Sequence, residues 1–229
     1  MNAESFLSLL QFSDGLFPAG GYAHSYGLET YVQEGIIRDL EGVEKFIRAY
    51  LKGNVGPCDA VAVVAALNLA QAENLPACLD LDETLEAMKP VAEFREASRQ
   101  MGRQTLRVAS NLLTDSLLSS FMQDVESYRT PGHHSVVFGT VGGVLGWPAK
   151  EAASAYLYST TSLLVGAALR LLPIGQLNGQ RLLHSLWPLI GELASDAERK
   201  GLGDLQSFAP GIEIAGMRHA TLEARLFRS

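Results

Sequence analysis

Residues 14–34 (DGLFPAGGYAHSYGLETYVQE) hold the densest set of side chains able to do chemistry. Gly15 and Gly20 are spaced like the glycines of a phosphate-binding loop, G-x-x-x-x-G-K-[ST]. That loop needs a lysine for phosphate and a Ser/Thr for Mg²⁺, whereas Gly21 and Tyr22 stand there, and no β-branched strand precedes them. Nucleotide binding is therefore not expected. His24 and Ser25 do not make a hydrolytic dyad, because neighbouring side chains at a helix start point apart and no G-x-S-x-G elbow exists. The carboxylates lie scattered over amphipathic faces rather than in an apolar pocket, so acid–base catalysis has no support either. What remains is a glycine-rich turn carrying Tyr22, His24 and Ser25 into a helix. Ser25 is placed to be the N-cap, and Glu29 suits the positive end of the helix dipole. Such a turn serves either as a structural cap or as an exposed loop for a partner.

Three further groups invite a chemical reading. His133 and His134 are adjacent, so a helix cannot aim both at one metal, and no His or Cys follows at i+4; a solvated loop after Pro131-Gly132 is expected, with no metal site. Arg95, Arg99, Arg103 and Arg107 repeat every four residues and wind along one side of a helix. They form either a solvated face or a secondary docking ridge for an acidic partner. The end of the chain, MRHATLEARLFRS, sets the apolar Met217, Leu222, Leu226 and Phe227 among arginines, and docks on its own core or on another protein.

The elements that position these groups read as helices. After Asp39, an N-cap, the positions Leu40, Val43, Phe46, Ile47, Tyr50 and Leu51 form one apolar stripe. Pro57 opens the way to a new helix over the alanine-rich residues 59–72. Helices are also expected over residues 91–113, 178–200 and 212–227, with breaks at Pro76, Pro131, Pro173 and residues 201–203. In SVVFGTVGGVLG (135–146) the valines suggest a strand. Gly139, Gly142, Gly143 and Gly146 fall three or four apart, however, which as a helix gives a small-residue side for close helix approach. No other strand is available to pair with it. The expected fold is all-α, a single domain over residues 1–229 with about eight to ten helices.

Composition narrows the classes of function. The chain has 229 residues, 47% hydrophobic and 19% charged, with a net charge of −7. It is a globular protein with a poor electrostatic profile for nucleic acid or anionic membrane. Residues 152–169 lack charge but contain five Ser/Thr and two tyrosines, as a buried helix of a soluble protein does. Cys58 and Cys78 match neither a disulfide framework nor a zinc site, no export signal is evident, and a cytoplasmic location is expected.

Residues 17–30, FPAGGYAHSYGLET, closely resemble the signature of the UreF family of urease accessory proteins, roughly [FL]-P-[IVA]-G-[AGS]-[FY]-x-H-S-x-G-L-E. The ending Met217-x-His219-x-x-Leu222-x-x-Arg225-Leu226-Phe227-x-Ser229 is similar to that family's C-terminal pattern. Between them Arg95-Glu96, Met101-Gly102, Leu106, the YLYST of residues 156–160 and the PIGQ of residues 173–176 fall in family order. Ala19 and Gly21 are smaller than the residues many members carry, which bears on loop packing. The resemblance implies an all-α, dimerising, non-enzymatic protein without a cofactor. Such a protein binds UreD (UreH in some organisms), recruits the GTPase UreG and helps load nickel into the urease apoprotein, with a role in the GTPase step. Tyr22, His24, Ser25, Glu29, Met217, His219, Leu222, Arg225, Leu226 and Phe227 would then form one partner-binding surface. The competing classes are a helical small-molecule-binding protein or hydrolase with its site near Tyr22 and His24, and a stand-alone oligomer.

Overall fold

The computed structural model covers residues 1–229 and is all-α. Helix α1 spans Ala3–Ser13, α2 Leu28–Gln33, α3 Leu40–Tyr50 and α4 Val61–Gln71. Then follow α5 (Leu75–Met88), α6 (Ala92–Leu112), α7 (Ser116–Glu126) and α8 (His134–Val144). The last four are α9 (Ala149–Leu171), α10 (Gln176–Ser185), α11 (Trp187–Arg199) and α12 (Pro210–His219). Four helices start where a side chain accepts an otherwise orphaned N–H: Asn2 from Ser5, Asp39 from Gly42, Asn74 from Ala77 and Asp115 from Leu118.

Pro57 does not start a new helix. Helices α3 and α4 join through a π-helical stretch, Leu51–Ala60, into one rod, Leu40–Gln71, so the twelve segments make eleven helices. The widened turn is the structural answer to a proline, which lacks an N–H and would clash with the carbonyl four residues back. That carbonyl, on Gly53, accepts instead from Phe208 N at 2.7 Å, and Pro57 O accepts from Gln206 N at 3.1 Å. The segment before α12 thus repairs the ladder that the proline interrupts.

Rod residues from α4, with α8 and α9, form the centre of a 50-residue apolar cluster. The expected small-residue side of α8 exists and is used inside the chain. A Cβ on Gly139 would lie 2.3 Å from Val63 O, and one on Gly143 2.5 Å from Leu67 O, so α8 presses directly on the α4 backbone. Gly146 is not on that side: at φ +66° it ends the helix, with Trp147 N bonded to Gly142 O and Gly146 N to Gly143 O. Rod Leu40–Gln71 and α9 are long and apolar enough to cross a membrane by length and composition, and both contribute to the central cluster. Cys58 and Cys78 are buried free thiols, pushed up to about 12 and about 11 by burial.

Two helices expected to run on are cut short. Residues 178–200 break at Leu186, after which Trp187 and Pro188 begin α11. The last helix stops at His219 rather than continuing to residue 227.

Candidate functional site: a buried lock between two distant segments

After His219 the backbone N–H groups leave the helical pattern because a carboxylate takes them. Glu29, on the first turn of α2 and 1% exposed, accepts from Leu226 N at 2.7 Å through Oε1 and from Phe227 N at 3.1 Å through Oε2. His219 Nε2 lies 2.9 Å from the same Oε2, while its Nδ1 lies 2.7 Å from Glu93 Oε2. Arg225 completes the chain with 2.9 Å to Glu93 Oε1. Burial works to raise the Glu29 pKa, but the N–H groups of Leu226 and Phe227, together with His219, outweigh it and hold the carboxyl below its ordinary value.

The tail then closes on the glycine-rich turn. Ser229 O accepts from Ser25 N (2.5 Å), Tyr26 N (3.1 Å) and Ser25 Oγ (2.8 Å), and Arg228 N donates to Ala23 O at 2.8 Å. Ser25 lies two residues before the N-cap position of α2, although its Oγ still accepts from Glu29 N at 3.4 Å. Gly27 holds that position at φ +87°, in van der Waals reach of the α12 backbone, where a side chain would be strained and crowded. His24 Nδ1 pairs with Ser229 Oγ at 2.9 Å, and burial, then the nearby Arg228 charge, lowers its pKa to about 4. This Ser–His pair does not suit hydrolysis: both residues are buried, and the adjacent N–H groups that would stabilise an oxyanion are filled by Ser229 O.

The ten expected surface residues divide into two sets. His24, Ser25, Glu29, His219 and Phe227 are buried in the free chain and form the lock. Tyr22 (76% exposed), Met217, Arg225 and Leu226 are exposed, and Leu222 is half-buried. Arg170 ties the two segments from α9, donating to Tyr22 O and lying 4.2 Å from the Phe227 ring centroid.

A second buried polar joint was not legible in the sequence. His133 is fully buried, not in a solvated loop, and His134 is half-buried as the first residue of α8. Asp82 on α5 binds this connection by accepting from Thr130 Oγ1 (2.5 Å), Gly132 N (2.6 Å) and His133 N (2.7 Å). Burial still pushes Asp82 up to about 6. His133 bridges Ser98 and Glu86, each at 3.0 Å. Burial lowers the pKa of both histidines to about 4, and the Lys89 charge assists. Lys89 is itself paired with Asp59 at 2.9 Å, which also accepts from Ser135 Oγ. The cavity beside this pair, lined by Tyr26, Tyr50, Tyr156 and His134, has a volume of about 40 Å³. That is room for a few waters and far below the hundreds of Å³ of a metabolite pocket.

The arginine ridge is divided as well. Arg95 and Arg99 pair with Glu86, and Arg99 also with Glu96, whereas Arg103 and Arg107 have no carboxylate partner.

The fold is thus an all-helical body in which two chain-distant motifs are locked together beneath an exposed rim carrying Tyr22 and Arg225. The sequence pattern of the UreF family matches residues 37–187. Similar relatives, each described as urease accessory protein UreF, occur in Bacillus sp. (strain TB-90), Trichodesmium erythraeum and Paenarthrobacter aurescens. The first is 34% identical over 97% of this chain and 98% of the relative. The second is 34% identical over 96% and 95%, and the third 31% over the whole of both. The chain belongs to the UreF family of urease accessory proteins.

Proposed function

We propose that this protein is a non-enzymatic, cytoplasmic scaffold that binds UreD (UreH), recruits the GTPase UreG and assists nickel delivery to the urease apoprotein. The observation that carries the reading is the exposed rim of Tyr22, Met217, Arg225 and Leu226, seated on a buried lock that fixes its geometry. Tyrosine and arginine on a rigid base are the residue types that dominate interface energetics, because little conformational freedom is lost on docking. Within the lock, His24, Ser25, Glu29, His219 and Phe227 act as positioning residues. The protein works as a homodimer in this reading. The α8 glycines give no support for that dimer, being used against α4, but Phe6, Leu7 and Leu10 of α1 leave an apolar face open for a second copy or a partner.

The test is co-purification of the tagged protein with UreD, UreG and urease apoprotein, beside nickel-dependent urease activation. Tyr22→Ala is expected to leave the melting temperature within the scatter of ordinary surface changes, about 0.5 kcal/mol. Arg225→Ala gives up the exposed pair with Glu93, worth about 0–1 kcal/mol. Both should weaken assembly by about 2 kcal/mol or more. Two folded variants that assemble and activate normally would move the partner surface elsewhere.

A further inference from the structure

We propose that the groove between α6 and α7 holds an acidic segment of a partner protein, with a Glu or Asp carboxylate gripped by Arg103 and Arg107 beside Tyr128. Three independent features meet there. First, of the four ridge arginines, these two are left without an ion-pair partner, although the chain carries a net charge of −7. The Nε of Arg103 is buried with no acceptor inside the protein, a donor that a carboxylate oxygen would satisfy once the guanidinium turns toward it. Second, the Arg103 guanidinium lies 5.8 Å from the ring centroid of Tyr128, and that ring is 83% exposed. Tyr128, at φ +57°, is the left-handed residue that ends α7, with Arg129 N bonded to Asp124 O, and its ring lines the groove. Third, the groove has a volume of about 270 Å³ with an apolar wall from Met122 and Val125, and Glu126 is the one carboxylate among its lining residues. That space fits one or two side chains of an incoming segment, the acid against the arginines and an apolar neighbour on the wall. The planar, always-charged forks of arginine suit this bidentate task.

The groove is separate from the Tyr22–Arg225 rim. Glu93, which holds Arg225, lies ten residues before Arg103 on α6, about 15 Å along the helix at 1.5 Å per residue.

The experiment uses the full chain and a fluorescein-labelled peptide, acetyl-Glu-Glu-Leu-Glu-Glu-amide, followed by fluorescence anisotropy. Saturable binding that weakens with salt is expected. R103E/R107E should weaken it by about tenfold or more, since two charge-assisted contacts are reversed. Because Arg103 is half-buried, the single variant Arg107→Glu, at an exposed position, gives the same direction if the double variant does not fold. The equally charged control K150E/R181E, at exposed sites elsewhere, should stay within about twofold of the parent protein. The proposal is overturned if the parent shows no saturable binding, or if the control loses as much as R103E/R107E. Displacement of the peptide by inorganic pyrophosphate at matched ionic strength also overturns it, by marking a phosphate site. No urease component enters the assay, so its failure leaves the accessory reading untouched.

Discussion

Replacing Glu29 by Gln keeps the shape of the lock and removes its charge. In the native protein two oxygens receive Leu226 N, Phe227 N and His219 Nε2. A glutamine offers one oxygen, and its NH₂ group then faces donors where an acceptor is required. Each buried donor left without an acceptor costs about 1–3 kcal/mol. With two groups affected and some relief from water at the half-open end near Leu226, the expected loss is about 3 kcal/mol. Against a total stability of about 5–15 kcal/mol the protein stays folded. The loss should appear first as local opening of the tail, because few other contacts hold residues 220–226. Amide hydrogen exchange is the assay. At about 1.4 kcal/mol per decade, Leu226 and Phe227 should exchange about a hundredfold faster, while the amide of Leu106 in α6 should not change. The parent protein should also show a pH dependence that the variant lacks. A carboxyl depressed in the folded state contributes fully above its unfolded value, 4.5, and the contribution is lost as pH falls through the folded value. Unchanged exchange at Leu226 and Phe227 in a folded variant would refute the claim that Glu29 closes the lock.

Gly143→Ala should cost about 3 kcal/mol, seen as a fall of about 10 °C in melting temperature, because the new Cβ meets Leu67 O and the α4 and α8 backbones must part. Gly166→Ala, with nothing within 4 Å, should be neutral or stabilising by up to about 1 kcal/mol. On the acid side, His24, His133 and His134 are held neutral down to about 4, so between pH 6.5 and 4 the unfolded chain binds more protons at these sites and stability falls as pH drops. Asp82, pushed up to about 6, works in the opposite direction between pH 6 and 3.8. The net of two protons gives a steepest slope of about 3 kcal/mol per pH unit, measured by urea midpoints, and a flat profile would contradict these assignments. Calorimetry of the purified protein with GTP should show no heat of binding, since Gly21 stands where a phosphate loop needs lysine; micromolar affinity would overturn that.

The parts of the fold that sequence reveals are those whose partners lie close along the chain. Asp39 bonds three residues ahead and starts α3, whose apolar stripe repeats within the helix, and α6 (Ala92–Leu112) falls within a residue of the expected 91–113. The glycine spacing of 135–146 correctly indicated a helix. What failed had distant causes. The last helix stops because its carbonyl partners are replaced by Glu29, 197 residues away from Leu226. His133 is buried because Asp82 cages the neighbouring backbone, and no local pattern announces that a carboxylate will bind N–H groups rather than an arginine. Pro57 misled in a different way: the rule that proline ends a helix holds for an isolated strand of sequence, and here a segment 150 residues on supplies the missing bond. The break at Leu186, by contrast, has a local signal in Pro188, which sits in the first turn of α11. For the candidate site, the motif residues are legible in the sequence, but their division into buried lock and exposed rim is not, since polarity alone would put the charged Glu29 outside and the aromatic Tyr22 inside, the reverse of their burial.

The lock also sets an order of events during synthesis. Helix α2 has six residues, too few to persist alone, and Glu29 gains its tail donors only after 197 further residues have been made. At about 5–20 residues per second that is an interval of roughly 10–40 s, during which a carboxylate destined for burial remains in water. The glycine-rich turn near the start of the chain is therefore among the last regions to acquire its shape. A ribosome-bound chain can build the α4–α8–α9 centre while still lacking the rim. A nascent protein of this kind would be folded in its middle before residues 219–229 emerge, so the rim carrying Tyr22 and Arg225 takes its shape only after the centre has formed.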